Sequence, residues 1–296
     1  MSPLNRVRRL LITACAALLV FAIPACSGQT QQVGGADDKH ITIGTVPWAE
    51  TIATSNLWKE LLEQQDYTVE LKNLEVAALY TGVAQGQIDL FTTSTPKVHE
   101  DYWERFSDDF VDVGTWYDTL IQGFAVPEYV DAHSITDIKG RAAEFDGKIV
   151  GIEAGSGLMD DAHERAVKYY DLTGYDIVDG STPAMLAALD TAIKAKKPVV
   201  VTLWQPHWAF QKYQIRLLDD PAQSFGGIDT YHVVASKKFA ENKEVIYQLA
   251  AFHMTPEQLQ SLELDIENAG QGNELQAVKA WIEQNQSVVD KWTQGV

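Results

Sequence analysis

Two tryptophans in this chain stand where a strand is expected to end. Val199-Val200-Val201-Thr202-Leu203 is an apolar, β-branched run that breaks into Trp204-Gln205-Pro206-His207-Trp208. Such a pattern predicts a buried strand delivering an indole to its C-terminal end, where open α/β sheets hold their ligands. Trp48 occupies the equivalent place after an earlier apolar run, in Thr45-Val46-Pro47-Trp48-Ala49-Glu50. Indole faces carry negative quadrupole density, so a pair of them can sandwich a cation, each contact contributing roughly 0.5–2 kcal/mol. Glu50 would add a full negative charge beside that cation, or serve only as a carboxylate favoured at a helix N-terminus. His207 lies one turn from Trp204 and either meets the ligand or only orients that indole. The plainer reading of both tryptophans is that they cap a core.

A second group of residues suits the opposite charge. Gly155-Ser156-Gly157 falls between an expected strand and an expected helix, where free N–H groups favour an anion and glycine lets a ligand approach the backbone. The alternative is a tight turn with Ser156 as the helix N-cap. His99, at the end of the third expected strand, could donate to a carboxylate or cap the following helix. A nucleophilic reading makes Ser156 the attacking group, with His99 or His163 as base, in an exported hydrolase. A nucleophile elbow requires Gly-x-Ser-x-Gly, however, and only Gly155-Ser156-Gly157 is present. Asp160, Asp161 and His163 fall partly on different helix faces and no second histidine cluster accompanies them, so neither a metal nor another cofactor is expected. The chain reads as a binder and not as an enzyme.

The elements that must position these residues alternate. Strands are predicted at 41–46, 67–71 and 88–91, separated by helices at 51–64 and 76–85, which implies a mostly parallel sheet with right-handed crossovers. A strand at 121–126 would leave this first set. A second set follows, with strands at 148–152, 175–178 and from 199, and helices at 160–170 and 183–195. A strand at 231–235 would return, and helices at 245–252, 256–262 and 274–282 would finish the chain. Two αβ sets joined by two crossings predict two lobes: 40–123 with 233–296, and 124–232. Their ligand cleft would lie between them. Trp116 and Tyr117, before the crossing strand, could reach that cleft.

The N-terminus carries Arg6, Arg8 and Arg9, then an apolar run from Leu10 to Ile23 that is shorter than the roughly 20 residues of a membrane span. Residues 1–25 are expected to be a cleavable export signal. Ile23, Ala25 and Cys26 fit a bacterial lipobox, with Pro24 atypical, so Cys26 is the candidate lipidated residue and 26–39 a flexible tether. The alternative is ordinary cleavage nearby and a soluble product. With 41 acidic against 23 basic residues and a net charge of −18, nucleic acid and anionic membrane surfaces are poor partners.

Taken together, these segments resemble the substrate-binding proteins of ABC importers for glycine betaine, proline betaine and choline. The resemblance is carried by Ile41-Thr42-Ile43-Gly44 through Asn56, Tyr80 to Asp89, Lys148 to Gly157, Pro198 to Trp208 and Phe252 to Glu257. It implies a two-lobed periplasmic-binding-protein-like (type II) fold, extracytoplasmic localisation and partnership with a permease and ATPase. It also implies an aromatic cage for a trimethylammonium group. By position Trp204 matches a cage tryptophan, Trp48 and Glu50 match the Trp-x-Asp arrangement of the choline-binding branch, and His99 matches a histidine near the cage. Two tryptophans usual in betaine binders are missing: Thr95 precedes Pro96, and Ser156 occupies the glycine loop. Another aromatic must replace them, or the ligand is not glycine betaine. A sensor with the same fold is the remaining alternative.

Overall fold

A computed structural model describes residues 39–294. The export signal and Cys26 lie outside the described residues, as does most of the tether. The chain builds β1 (His40–Thr45), α1 (Ala49–Glu63), β2 (Thr68–Asn73), α2 (Val76–Ala84), β3 (Leu90–Ser94), α3 (Glu100–Phe106) and then a long strand, β4 (Phe110–Pro127). It continues with β5 (Lys148–Val150), α4 (Gly157–Asp161), α5 (Val167–Tyr170), β6 (Asp176–Val178), α6 (Thr182–Ala195), β7 (Val201–Gln205), α7 (Ala209–Lys212) and β8 (Ile215–Leu217). Last come β9 (Asp229–Ser236) and the helices α8 (Lys243–Ala251), α9 (Pro256–Ala269), α10 (Glu274–Gln284) and α11 (Gln286–Thr293).

The strands run in the order β2-β1-β3-β9-β4-β7-β5-β6, with β8 beside β4. β4 belongs to both halves of this order. Its first part, to Leu120, pairs antiparallel with β9, and from Ile121 it pairs antiparallel with β7. β1 pairs parallel with β2 and β3, and β5 pairs parallel with β6 and β7, so each half is a parallel αβ unit bordered by antiparallel crossing strands. This is the two-lobed α/β architecture predicted above. The sequence put the crossings after residues 123 and 232; strand pairing changes between Leu120 and Ile121, and the chain re-enters the first half at Asp229, opposite Leu120. Among the described residues, no helix is long and apolar enough to cross a membrane.

Several elements differ from the sequence pattern for identifiable reasons. β4 is much longer than 121–126, and its first part escapes the sequence pattern because its register shifts three times against β9 and Gly114 adopts φ +142°, which breaks the alternation that would reveal a strand. α3 is short and fully buries no residue, and its apolar side Tyr102, Trp103 and Phe106 only leans on the core, so its helical pattern is weak. The helix expected at 160–170 begins at Gly157 and contains a π-helical turn, Ala162–Ala166, which shifts the helical period.

Close packing of helix on sheet sets a specific tolerance in the first half. A Cβ on Gly44 of β1 would lie 2.9 Å from Leu79 Cγ of α2 and 3.0 Å from Ile88 Cγ2. Gly44→Ala is therefore expected to destabilise the protein by about 1–3 kcal/mol, the usual range for overpacking. Urea unfolding of the purified variant checks this, and an unchanged midpoint would refute so close an approach.

Candidate functional site

The strand ends of the two halves meet around a narrow, partly open cavity. The first half contributes Trp48, Glu50, Thr95, Val98, His99 and Tyr231; the second contributes Ile152, Ser156, Gly157, Leu158 and Trp204. Leu120 and Gln122, where β4 passes from one half to the other, also line it. Four lining side chains are aromatic rings, and all four are buried: Trp48, His99, Trp204 and Tyr231.

Each tryptophan is placed by its own half and tied to the other. Trp48 is the N-cap residue of α1, and its ring stacks on His99, with centroids 5.7 Å apart and planes at 21°. Its indole N–H donates across to Glu153 Oε1. Trp204 near the end of β7 meets His207 edge-on at 4.8 Å and donates its Nε1–H across to Glu50 Oε2 at 2.9 Å. Two indole–carboxylate bonds thus run in opposite directions between the halves. The approach is tight elsewhere too, since a Cβ on Gly157 would lie 2.1 Å from the Val98 carbonyl oxygen.

Glu50 is the chemically distinctive group. It is 2 % exposed, and burial pushes its carboxyl up to about 7. Its own backbone and the Trp204 and Tyr231 side chains donate hydrogen bonds that hold the value down, while Glu153 nearby raises it. Glu263 on α9 is also buried and lies well above the ordinary carboxyl range, because of burial and the charge of Glu50. A cation entering beside Glu50 would supply the missing counter-charge.

His99 is held at Nδ1 by Thr95 Oγ1 at 2.7 Å and Tyr80 Oη at 3.1 Å, while its Nε2 has no partner among the described residues. Burial lowers its basicity to about 3, so it is a neutral imidazole near pH 7. Ser156 is the N-cap of α4: its hydroxyl accepts from Met159 N at 3.4 Å and donates to the Glu153 carbonyl at 3.0 Å. The first N–H groups of α4, on Gly157 and Leu158, are those for which a helix supplies no acceptor of its own.

Some of the expected site residues lie away from this cavity. His207 does not line this cavity; its Nδ1 accepts from Ala209 N at 3.0 Å, and it buttresses the edge of Trp204 beside a separate groove. Gly155 does not line it either, but turns the chain into α4 with φ +82°. Trp116 and Tyr117 do not supply a wall. Trp116 is fully buried, donates to the Thr92 carbonyl at 2.5 Å and packs on Tyr231 and Phe252. Sequence reading missed Tyr231 and Glu153. Tyr231 was visible only as the first residue of a returning strand, and Glu153 only as the acid that precedes Ala154 and the glycine loop.

Comparison with known proteins bears on this geometry. The family described as the substrate binding domain of ABC-type glycine betaine transport systems matches residues 39–284. A glycine betaine/carnitine transport binding protein of Listeria monocytogenes is 38% identical over 151 residues, 50% of this chain and 49% of that protein, so the match spans about half its length. The solved glycine betaine and L-proline-binding protein of Borrelia burgdorferi superposes with a TM-score of 0.80 at 33% identity, covering 86% of this chain and 96% of that one. Lactococcal OpuAC, in a closed-liganded conformation with glycine betaine, gives 0.80 at 30% identity over 86% of this chain and 100% of that one.

The raised Glu50 acidity has a definite sign in stability. Between its ordinary value of 4.5 and about 7, the folded protein holds a proton that the unfolded chain releases. Its contribution is therefore greatest below pH 4.5 and is lost as pH rises through 7. Buried His99 and His207, lowered to about 3, act oppositely below pH 6.5. The informative quantity is thus the difference between wild type and Glu50→Gln. Without ligand, it should move in favour of the variant by up to about 3 kcal/mol from pH 4 to pH 8. Denaturant titration at several pH values measures it, and a pH-independent difference would contradict the assignment.

Proposed function

The chain belongs to the family of substrate-binding domains of ABC-type glycine betaine transport systems, and from that premise we propose that its interlobe cavity captures a quaternary ammonium solute for an ABC importer. The observation that carries this reading is a buried carboxylate, Glu50, inside a cavity whose other prominent walls are Trp48, Trp204 and Tyr231. An aromatic wall alone is compatible with any apolar ligand. Together with a carboxylate raised by burial, it favours a group that is apolar in shape and positive in charge, which describes trimethylammonium.

Tyr231 supports the reading where the two missing tryptophans weaken it. It brings a fourth ring, with Trp48, His99 and Trp204, so the cage is rebuilt from β9 instead of from the loops at Thr95 and Ser156. In the tautomer whose Nδ1 accepts from the Thr95 hydroxyl, His99 carries its proton on Nε2, the atom without a partner among the described residues. That N–H and the first amides of α4 would receive a ligand hydroxyl or carboxylate. Choline needs only the first end of this site, and betaines use both. A ligand of about eight heavy atoms can reach micromolar affinity within the ceiling of about 1.5 kcal/mol per atom.

The hydrolase alternative finds no support, because Ser156 is engaged as a helix cap and its hydroxyl donates to a carbonyl. In the proposed cycle the mature protein is exported, anchored to the cell membrane through lipidated Cys26, closes on its solute and presents it to a permease and ATPase. Labelling with radioactive palmitate in the parent cells should mark the wild type and not Cys26→Ser. Equal labelling would remove the anchor from the scheme.

Calorimetric titration of the signal-free protein with glycine betaine, proline betaine, carnitine and choline tests the ligand class. Micromolar binding of at least one is expected. Choline should bind more tightly at pH 8 than at pH 6, because its charge favours ionised Glu50, and Glu50→Gln should flatten that dependence. Trp48→Ala and Trp204→Ala should each weaken binding tenfold or more with the circular dichroism spectrum retained. Silence with all four solutes would overturn the ligand class.

A further inference from the structure

Glu153 does not line the cavity, yet it makes the bond that fixes one of its walls. Its two carboxylate oxygens are divided between the halves. Oε2 accepts from Thr182 N and from Thr182 Oγ1, each at 3.0 Å, at the start of α6 in the same half. Oε1 accepts from the Trp48 indole of the opposite half. The acceptor is therefore held in place by its own half, whatever the other half is doing.

Trp48 depends on both halves. His99, on its own side, defines the plane of the ring by stacking. Stacked rings can still turn and slide within that plane, and a directed N–H···O bond removes this freedom. An indole that donates to an anion also gains electron density in its ring, which strengthens the attraction of its face for a cation. Trp204 obtains the same benefit from Glu50, but Glu50 is itself a wall. The effect of Glu153 must pass through Trp48.

We infer that Glu153 is a positioning residue of the ligand site, whose carboxylate seats the Trp48 wall when the two halves meet. The inference rests on the cavity being the solute site, and it adds that one wall is completed by closure. The cost of losing the bond falls on bound solute, since the open protein lets the Trp48 N–H bond to water instead.

A double-mutant cycle in the signal-free protein tests it, with choline affinity measured by calorimetry. Glu153→Ala should weaken binding about 10- to 100-fold, the range of a hydrogen bond to a charged group. In a Trp48→Phe background the same change should cost less than about twofold, because phenylalanine has no N–H to seat. Glu153→Gln, which keeps one carbonyl acceptor, should recover part of the affinity and guards against a folding defect in the alanine variant. Equal losses in both backgrounds would overturn the inference. The Trp48 indole N–H resonance gives a readout that does not depend on affinity. In the choline-bound protein it should move in Glu153→Ala, and its indifference there would also overturn the inference. If wild type binds none of the solutes, the proposed function falls and this inference with it, whereas equal losses from a wild type that does bind overturn the inference alone.

Discussion

An acid shut away from water needs partners, and the placing of Glu50 constrains much of what surrounds it. A carboxylate in an apolar setting is costly unless hydrogen-bonded or neutralised. Here the bonds come from Trp204 on the opposite half and from Tyr231 on the returning strand. Both donors must therefore arrive at the same point from β7 and β9, which are separated in the sheet by β4. That requirement accounts for the architecture at the cavity: β4 runs through both halves, and its neighbours on either side each deliver one ring to Glu50. The remaining acceptor capacity of the carboxylate and its unbalanced charge are what a positive ligand would meet.

The same reasoning separates the residues that touch the cavity from those that hold it. His207 meets the edge of Trp204, and Trp116 stacks on Tyr231, so both act on the cavity through a ring that lines it. Thr95 and Tyr80 hold His99, and Thr182 holds Glu153. A wall made of large planar groups is only as defined as the small polar contacts behind it. Much of this outer layer consists of threonine and tyrosine hydroxyls, whose single directional bonds fix a ring or carboxylate without adding charge.

How much of this could be read from the sequence depends on the kind of signal each residue leaves. Trp48 and Trp204 were legible because each follows an apolar run that is buried on both faces, and Ser156 because a serine before a helix is a local capping signal. The two αβ units were legible for the same reason. β4 was mostly hidden, since its bulges destroy the two-residue period on which strand recognition depends. Tyr231 showed only as the start of a strand and Glu153 only as an acid before a glycine loop, and neither mark pointed to the cavity. Their importance comes from partners distant in the chain, Glu50 and Trp48, and no spacing rule joins residues about a hundred or more positions apart. Trp116 misled in the opposite way: it is an aromatic beside the crossing, but the strand turns it toward Phe252 and the core.

Gly157 sets a mechanical limit on this molecule. It faces the Val98 carbonyl so closely that a single methyl group would overlap it. The seam between the halves is thus closed at this point chiefly by the Val98 backbone, with its Cγ1 methyl close behind. Any residue larger than hydrogen would act as a doorstop, leaving the jaws ajar by the thickness of a methyl group while every wall residue remained intact. Glycine at this position is a clearance fit between the two halves, and what it protects is the seal itself.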